Sequence, residues 1–168
     1  KFQPMYAGFM KQDVATVAAD PNARAIGKHL FLTYCSQCHG SDAMGAESFP
    51  NLTDNDWLYG GEPDTIVATI TNGRAGVMPA WEPILGAQGV KQVANYVLSL
   101  SGRKHDAALA EAGKAKFAEN CAACHMPDGT GMKALGAPNL TDKVWLYGGS
   151  EAFFFQAEDG IRDLTVTG

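Results

Sequence analysis

One short pattern, present twice, constrains this chain of 168 residues more than anything else in it. Cys35-x-x-Cys38-His39 recurs as Cys121-x-x-Cys124-His125, using all four cysteines and two of the four histidines. Cysteines three apart on a helical turn share one face. Their sulfurs can therefore reach the two vinyl groups along one edge of a porphyrin, while the histidine that follows projects its imidazole beneath the iron. C-x-x-C-H is the attachment signature of c-type haem, and two covalent haem c groups, each with its iron, are expected. Other uses of paired cysteines fit less well. The two knuckles of a zinc ribbon stand about 15–20 residues apart, whereas a domain's length separates Cys38 from Cys121. A thioredoxin-like redox pair belongs beside a βαβ pattern, and none is visible. Disulfides inside the motif would leave the histidines unexplained.

Aligning the two motifs exposes an internal duplication. Gly27, Phe31 and Cys35 fall opposite Gly113, Phe117 and Cys121. After a two-residue insertion, Pro50-Asn51-Leu52-Thr53-Asp54 meets Pro138-Asn139-Leu140-Thr141-Asp142, and Trp57-Leu58-Tyr59-Gly60-Gly61 meets Trp145-Leu146-Tyr147-Gly148-Gly149. A period this long suits tandem haem domains rather than a solenoid. The boundaries expected are residues 1–20 as a leader segment, 21–101 as the first domain, 102–108 as a linker and 109–151 as a partial second domain.

With 46% hydrophobic and 18% charged residues the chain can bury a core. A net charge of −5 without a basic block argues against nucleic acid, whose phosphates need a cationic face. That charge instead favours docking to basic patches on a protein partner. No run approaches the roughly 20 apolar residues of a membrane-spanning helix, and Lys1-Phe2-Gln3-Pro4 does not open a signal peptide. Because haem c is attached outside the cytoplasm, the motif places the protein on the periplasmic side, with its leader or anchor outside the sequence given.

Three helices are expected in the first repeat. Asp20-Pro21 supplies an N-cap acid and a proline at the first helical position. Ile26, Leu30, Phe31 and Tyr34 then share a face that reads as core. Asp64–Asn72 carries Ile66, Val67 and Ile70, and Gln88–Ser99 carries Val90, Val93, Ala94, Val97 and Leu98. Gly27 would let the third helix approach the first closely. The stretch 101–106 reads as a linker with a solvated His105, and His29 reads as a surface residue. For the second axial ligand of haem 1, the turn-rich loop 73–81 offers Met78, just ahead of Pro79. A thioether opposite histidine raises the reduction potential. Met44 is the alternative, only five residues after His39. In the second repeat the position of Met78 falls on Val166, and no methionine follows Met132, so the distal ligand of haem 2 is missing. Met126 and Met132 read as loop residues beside the motif.

These marks together resemble one family. C-x-x-C-H-G with F-P-N-L-T-D-x-x-W-L-Y-G-G-E, N-G-R-x-G-V-M-P-A-W, Y-V-L-S-L-S-G-R, and a second C-x-x-C-H with A-P-N-L-T-D and W-L-Y-G-G-S-E are similar to the dihaem cytochrome c subunit, subunit III, of cbb3-type cytochrome c oxidases, over residues 4–151. The resemblance implies a mostly α protein of two tandem class I cytochrome c domains, the second truncated here. It implies a subunit held at the periplasmic side of the bacterial inner membrane by an N-terminal anchor absent from this sequence. Such a subunit performs no catalysis itself; it takes electrons from a cytochrome donor and passes them towards the catalytic subunit of a membrane oxidase. Carried over by position, Cys35, Cys38, His39 and Met78 serve haem 1, and Cys121, Cys124 and His125 serve haem 2. The Pro50 and Pro138 carbonyls would accept the Nδ1 protons of His39 and His125. Arg74 would reach a haem propionate or lie at the surface, and Trp57 and Trp81 would wall the pocket or simply pack in the core. A dihaem peroxidase, a cytochrome subunit of a periplasmic dehydrogenase, and a zinc or thiol module are the competing functions. From Ala152 onward the chain departs from the family and resembles translated sequencing-adapter read-through; a divergent helix anchored by Phe153 and Phe154 is the other reading.

Overall fold

The computed structural model describes residues 3–150, with side chains from Tyr6 onward. The suspected foreign tail from Ala152, and Val166 within it, lie outside the described residues. The described chain is helical, with no strand in it, in the order α1 (Gln3–Phe9), α2 (Val14–Ala19), α3 (Pro21–Tyr34), α4 (Ser36–His39), α5 (Pro63–Asn72), α6 (Glu82–Leu100), α7 (Ala107–Asn120) and α8 (Ala122–His125), followed by a 3-10 turn at Lys133–Leu135. Its described residues form two compact units: those up to Asp56 together with Gly61–Ala68, and Trp57–Gly60 together with those from Thr69 onward.

In the first unit, helix starts are written in aspartates. The Asp13 side chain accepts from Thr16 N at 2.9 Å and opens α2. Asp20 closes α2 through its own N–H to Val17 O and opens α3 by accepting from Asn22 N at 2.7 Å and Ala23 N at 3.0 Å. Satisfying these otherwise orphaned donors is what an N-cap does, and Pro21 at the first helical position loses no bond. The expected start of α3 is thus the observed one. Its apolar face differs from expectation: α3 buries no residue fully, and Leu30 and Tyr34 are exposed. Gly27 faces open space.

The second unit holds the core. α6 packs along α7, with Val97, Phe117 and Cys121 at the centre and Val93, Tyr96, Leu100, Ala122, Leu140 and Trp145 around them. α6 is longer than the expected Gln88–Ser99, because a first turn precedes a kink at Gly86 (φ 65°). Gly113 makes the close helix approach: a methyl group there would collide with the Gln92 carbonyl and stand 3.0 Å from Val93 N. Gly113, the repeat partner of Gly27, is thus the close approach between helices inside the second unit. Gly113→Ala is expected to destabilise the protein by about 1–3 kcal/mol through overpacking against backbone. Gly27→Ala, in open helix, is expected to stabilise it by about 0.5–1 kcal/mol. Urea unfolding of the two variants checks the opposite signs.

The stretch between α6 and α7 is stapled rather than slack. Asn95 is fully buried; its Oδ1 accepts from Asp106 N at 2.7 Å and its Nδ2 donates to Lys91 O at 2.9 Å. Asp106 in turn caps α7 through Ala108 N and Leu109 N. Arg103 N bonds Leu98 O at 2.9 Å. His105 is exposed, as expected, with Nδ1 2.7 Å from Arg103 O. His29 is exposed as well.

Candidate haem-attachment sites

Each C-x-x-C-H motif sits where a long helix hands over to a single turn. Cys35 closes α3, with its N–H on Phe31 O at 2.8 Å, and α4 follows, with His39 N bonded to Cys35 O at 3.0 Å. Cys121 closes α7 in the same way, through Phe117 O at 2.8 Å, and His125 N bonds Cys121 O at 2.9 Å. The turn brings the two thiols and the imidazole of each motif onto one short segment, and all four cysteines are free thiols.

The loops that follow repeat atom for atom. Gly45 N bonds His39 O and Gly131 N bonds His125 O, both at 2.9 Å. Leu52 N bonds Ala43 O at 2.8 Å and Leu140 N bonds Gly129 O at 2.7 Å. Asn51 Oδ1 accepts from the N–H and hydroxyl of Thr53, as Asn139 Oδ1 does from Thr141. This is an Asx turn set by the Asn-x-Thr spacing. The two-residue insertion falls inside the small bridge of each loop, Ala46 to Phe49 in the first and Met132 to Ala137 in the second, where it forms the 3-10 turn.

These loops deliver a backbone carbonyl to each imidazole. His39 Nδ1 lies 3.0 Å from Pro50 O and His125 Nδ1 lies 3.1 Å from Pro138 O. A ring that donates through Nδ1 keeps its lone pair on Nε2, the form and orientation required of a metal ligand. Gly45 and Gly131 make the approach possible. Both have positive φ, 82° and 79°. A side chain at Gly45 would come within 2.6 Å of Phe49 O, and one at Gly131 within 2.6 Å of the Pro138 carbonyl carbon.

The two sites differ in their surroundings. His39 is half-buried, with the Phe49 ring edge-on at 6.1 Å. His125 is buried, and that burial pulls its pKa below the ordinary histidine range, partly offset by the Pro138 bond. Burial raises the Cys121 thiol, and Cys124 adds to the effect. Met126 occupies the place of Gly40 after the motif and shares its backbone, φ 65° and ψ 155° against 78° and 156°. That region is essentially glycine's alone and costs other residues about 1–3 kcal/mol. Met126→Gly is therefore expected to raise stability by about that much; an unchanged thermal midpoint would contradict the strain.

Met78, Trp81, Trp57 and Arg74 lie in the second unit. Met78 is exposed, in a loop where Val77 is 90% exposed. Trp81 occupies the N-cap position of α6 without a side-chain cap bond and, like Trp57, is half-buried. Arg74 lies over the Tyr59 ring, 5.0 Å from its centroid, with Nε donating to Thr69 Oγ1 at 3.0 Å. Met44 is exposed in the first unit, and Met132 is half-buried at the inserted turn. Sequence reasoning missed Tyr59 and Arg103. The Tyr59 hydroxyl and the Arg103 Nε are buried without a hydrogen-bond partner. Only the glycine turn before Arg103 hinted at its placement.

The donor set fits haem c. Each repeat offers two thiols for thioether bonds and an imidazole held to leave Nε2 free, and the second unit adds two buried donors that lack acceptors.

Comparison with known proteins agrees. Residues 22–97 match the family model described as cytochrome c oxidase, cbb3-type, subunit III, and residues 110–162 match the model described as cytochrome c. The second match runs past Glu151. The chain is 58% identical over 146 residues to the cbb3-type cytochrome c oxidase subunit CcoP of Rubrivivax gelatinosus, covering 86% of this chain and 48% of that protein. It is 47% identical over 155 residues to CcoP of Cereibacter sphaeroides, covering 83% and 53%. With FixP of Bradyrhizobium diazoefficiens it shares 46% identity over 157 residues, again covering 83% and 53%. The chain spans about half the length of these curated relatives.

Proposed function

The chain belongs to the subunit III family of cbb3-type cytochrome c oxidases, and from that premise we propose that it is a dihaem electron carrier of such an oxidase. The observation that carries this reading is the repeated geometry: a C-x-x-C-H turn whose histidine Nδ1 is held by a proline carbonyl, at 3.0 Å in one repeat and 3.1 Å in the other. In this reading residues 21–101 and 109–151 are the two haem domains, joined through 102–108. Cys35 and Cys38 would hold haem 1, with His39 and Met78 as the residues offered to its iron; Cys121 and Cys124 would hold haem 2, with His125 offered to its iron. Covalent haem supplies a one-electron ferric–ferrous couple. The chain's own residues attach it, orient each imidazole through Pro50 or Pro138, and set how much water reaches it. Arg74, Trp57 and Trp81 contribute to the surroundings of haem 1. Electrons enter from a cytochrome donor and leave towards the catalytic subunit, at the periplasmic face of the inner membrane, with the protein held there by an anchor ahead of residue 1. The acidic net charge suits docking to a basic partner surface and gives a salt-dependent on-rate.

Among the described residues no helix is long and apolar enough to cross a membrane. The anchoring in this proposal rests on the family alone.

The test is a reduced pyridine haemochrome spectrum with haem-to-protein stoichiometry on the chain matured with a haem c attachment system. Two haems per chain are expected, falling to one in Cys35→Ala/Cys38→Ala and to one in Cys121→Ala/Cys124→Ala. A chain without a c-type α-band would overturn the reading.

A further inference from the structure

We propose that Arg103 is an anion-binding residue of the second repeat, holding a carboxylate of the haem attached at Cys121 and Cys124; the assignment rests on the haem reading above. Arg103 stands just beyond α6, and its guanidinium lies over the Trp145 ring, 5.0 Å from the centroid. Trp145 packs against the core cluster of Val97, Phe117 and Cys121, so the guanidinium is joined through Trp145 to the core that carries the attachment motif. The guanidinium is charged at every accessible pH, yet no carboxylate pairs with it among the described residues. Its terminal nitrogens reach only the Gly149 carbonyl at 3.5 Å and the Lys143 carbonyl at 3.4 Å. Both are longer than the roughly 2.7–3.2 Å of an ordinary N–H···O bond. Its Nε is buried and makes no hydrogen bond.

Arg103 is half-buried, and leaving its buried Nε idle is costly unless an acceptor meets it. The fork of a guanidinium matches a carboxylate in shape and charge. Gly149 is part of the same arrangement, because a methyl group there would lie 2.5 Å from the Arg103 Cζ and 2.7 Å from Nη1. The glycine keeps open the space the guanidinium fills. A positive charge held beside a haem carboxylate favours the ferrous form, so its loss must lower the reduction potential of that haem.

The experiment is spectroelectrochemistry of the haem-loaded full chain. Arg103→Gln is expected to shift the haem 2 equilibrium about tenfold towards ferric, which is about 59 mV for one electron. Arg103→Lys, which keeps the charge, is expected to recover at least half of that shift. Gly149→Ala leaves the arginine in the chain but displaces its head, and it is expected to lower the potential in the same direction. That variant keeps the test decisive if Arg103→Gln does not fold. Equal shifts in the Gln and Lys variants would mark a loss of stacking rather than of charge and overturn the proposal, as would an unmoved potential in Gly149→Ala. A potential that tracks added phosphate at constant ionic strength would assign the site to a free anion and overturn it too. A wild-type chain with no covalent haem at Cys121 and Cys124 would overturn the haem reading along with it. Haem present with unmoved potentials would overturn the role of Arg103 alone.

Discussion

Phe117→Ala is expected to lower stability by about 3–5 kcal/mol, the usual cost of emptying a large aromatic site in a core that cannot collapse around it. Phe117 is 1% exposed and among the largest fully buried side chains described. Its ring meets Tyr96 at 5.2 Å, tilted by 56°, and its backbone carbonyl accepts the Cys121 N–H. The cavity would therefore open between α6 and the handover from α7 to the second motif. A urea unfolding curve should show an earlier midpoint with an unchanged slope. A loss below about 1 kcal/mol would mean that the α6–α7 contact is not the core of this unit. Phe31, at the same place in the first repeat, is only half-buried. Phe31→Ala should accordingly cost well under half as much.

Gly131→Ala is expected to weaken the proposed hold of His125 on iron by about 10–100-fold, the usual effect of losing the hydrogen bond that orients a metal-bound histidine. A methyl group at φ 79° is strained in itself. It would also meet the Pro138 carbonyl carbon at 2.6 Å. The loop must open to admit it, and the carbonyl held 3.1 Å from Nδ1 must leave. The Soret band of the haem-loaded chain, followed while an exogenous imidazole competes with His125, reads the change. Ten to a hundred times less competitor should displace the histidine. An unchanged competition curve would show that the Pro138 carbonyl does not orient the ring. Gly45→Ala should produce the same effect at His39, since a methyl group at Gly45 would come within 2.6 Å of Phe49 O and 2.8 Å of the Pro50 carbonyl carbon.

Much of both sites was legible because it depends only on neighbours along the chain. Asp20-Pro21 starts a helix wherever it occurs, and the C-x-x-C-H turn needs only the helical period. The Asx turns at Asn51 and Asn139 need only a threonine two residues on. Even the pairing of each histidine with a proline carbonyl is carried by a loop whose residues are repeated. Arg103 and Asn95 were not legible in this way. A lone arginine after a glycine turn, and one asparagine in an apolar run, have no sequence signal. Each gains its meaning from groups remote in the chain: Arg103 from Trp145 and Gly149, and Asn95 from Asp106 across the turn.

By itself, then, the sequence determined two C-x-x-C-H motifs, their duplication and the helices that carry them. The tertiary structure alone decided that, within the second unit, the third apolar stripe packs along α7. Gly27 and Gly113 hold the same place in the repeat, and Val90, Val93, Ala94 and Val97 would suit either partner. Within the second unit it is Gly113 that meets Gln92 and Val93. Hydrophobic burial has no direction of its own, so the sequence pattern marks the face to be covered. Only close packing between particular backbones selects what covers it.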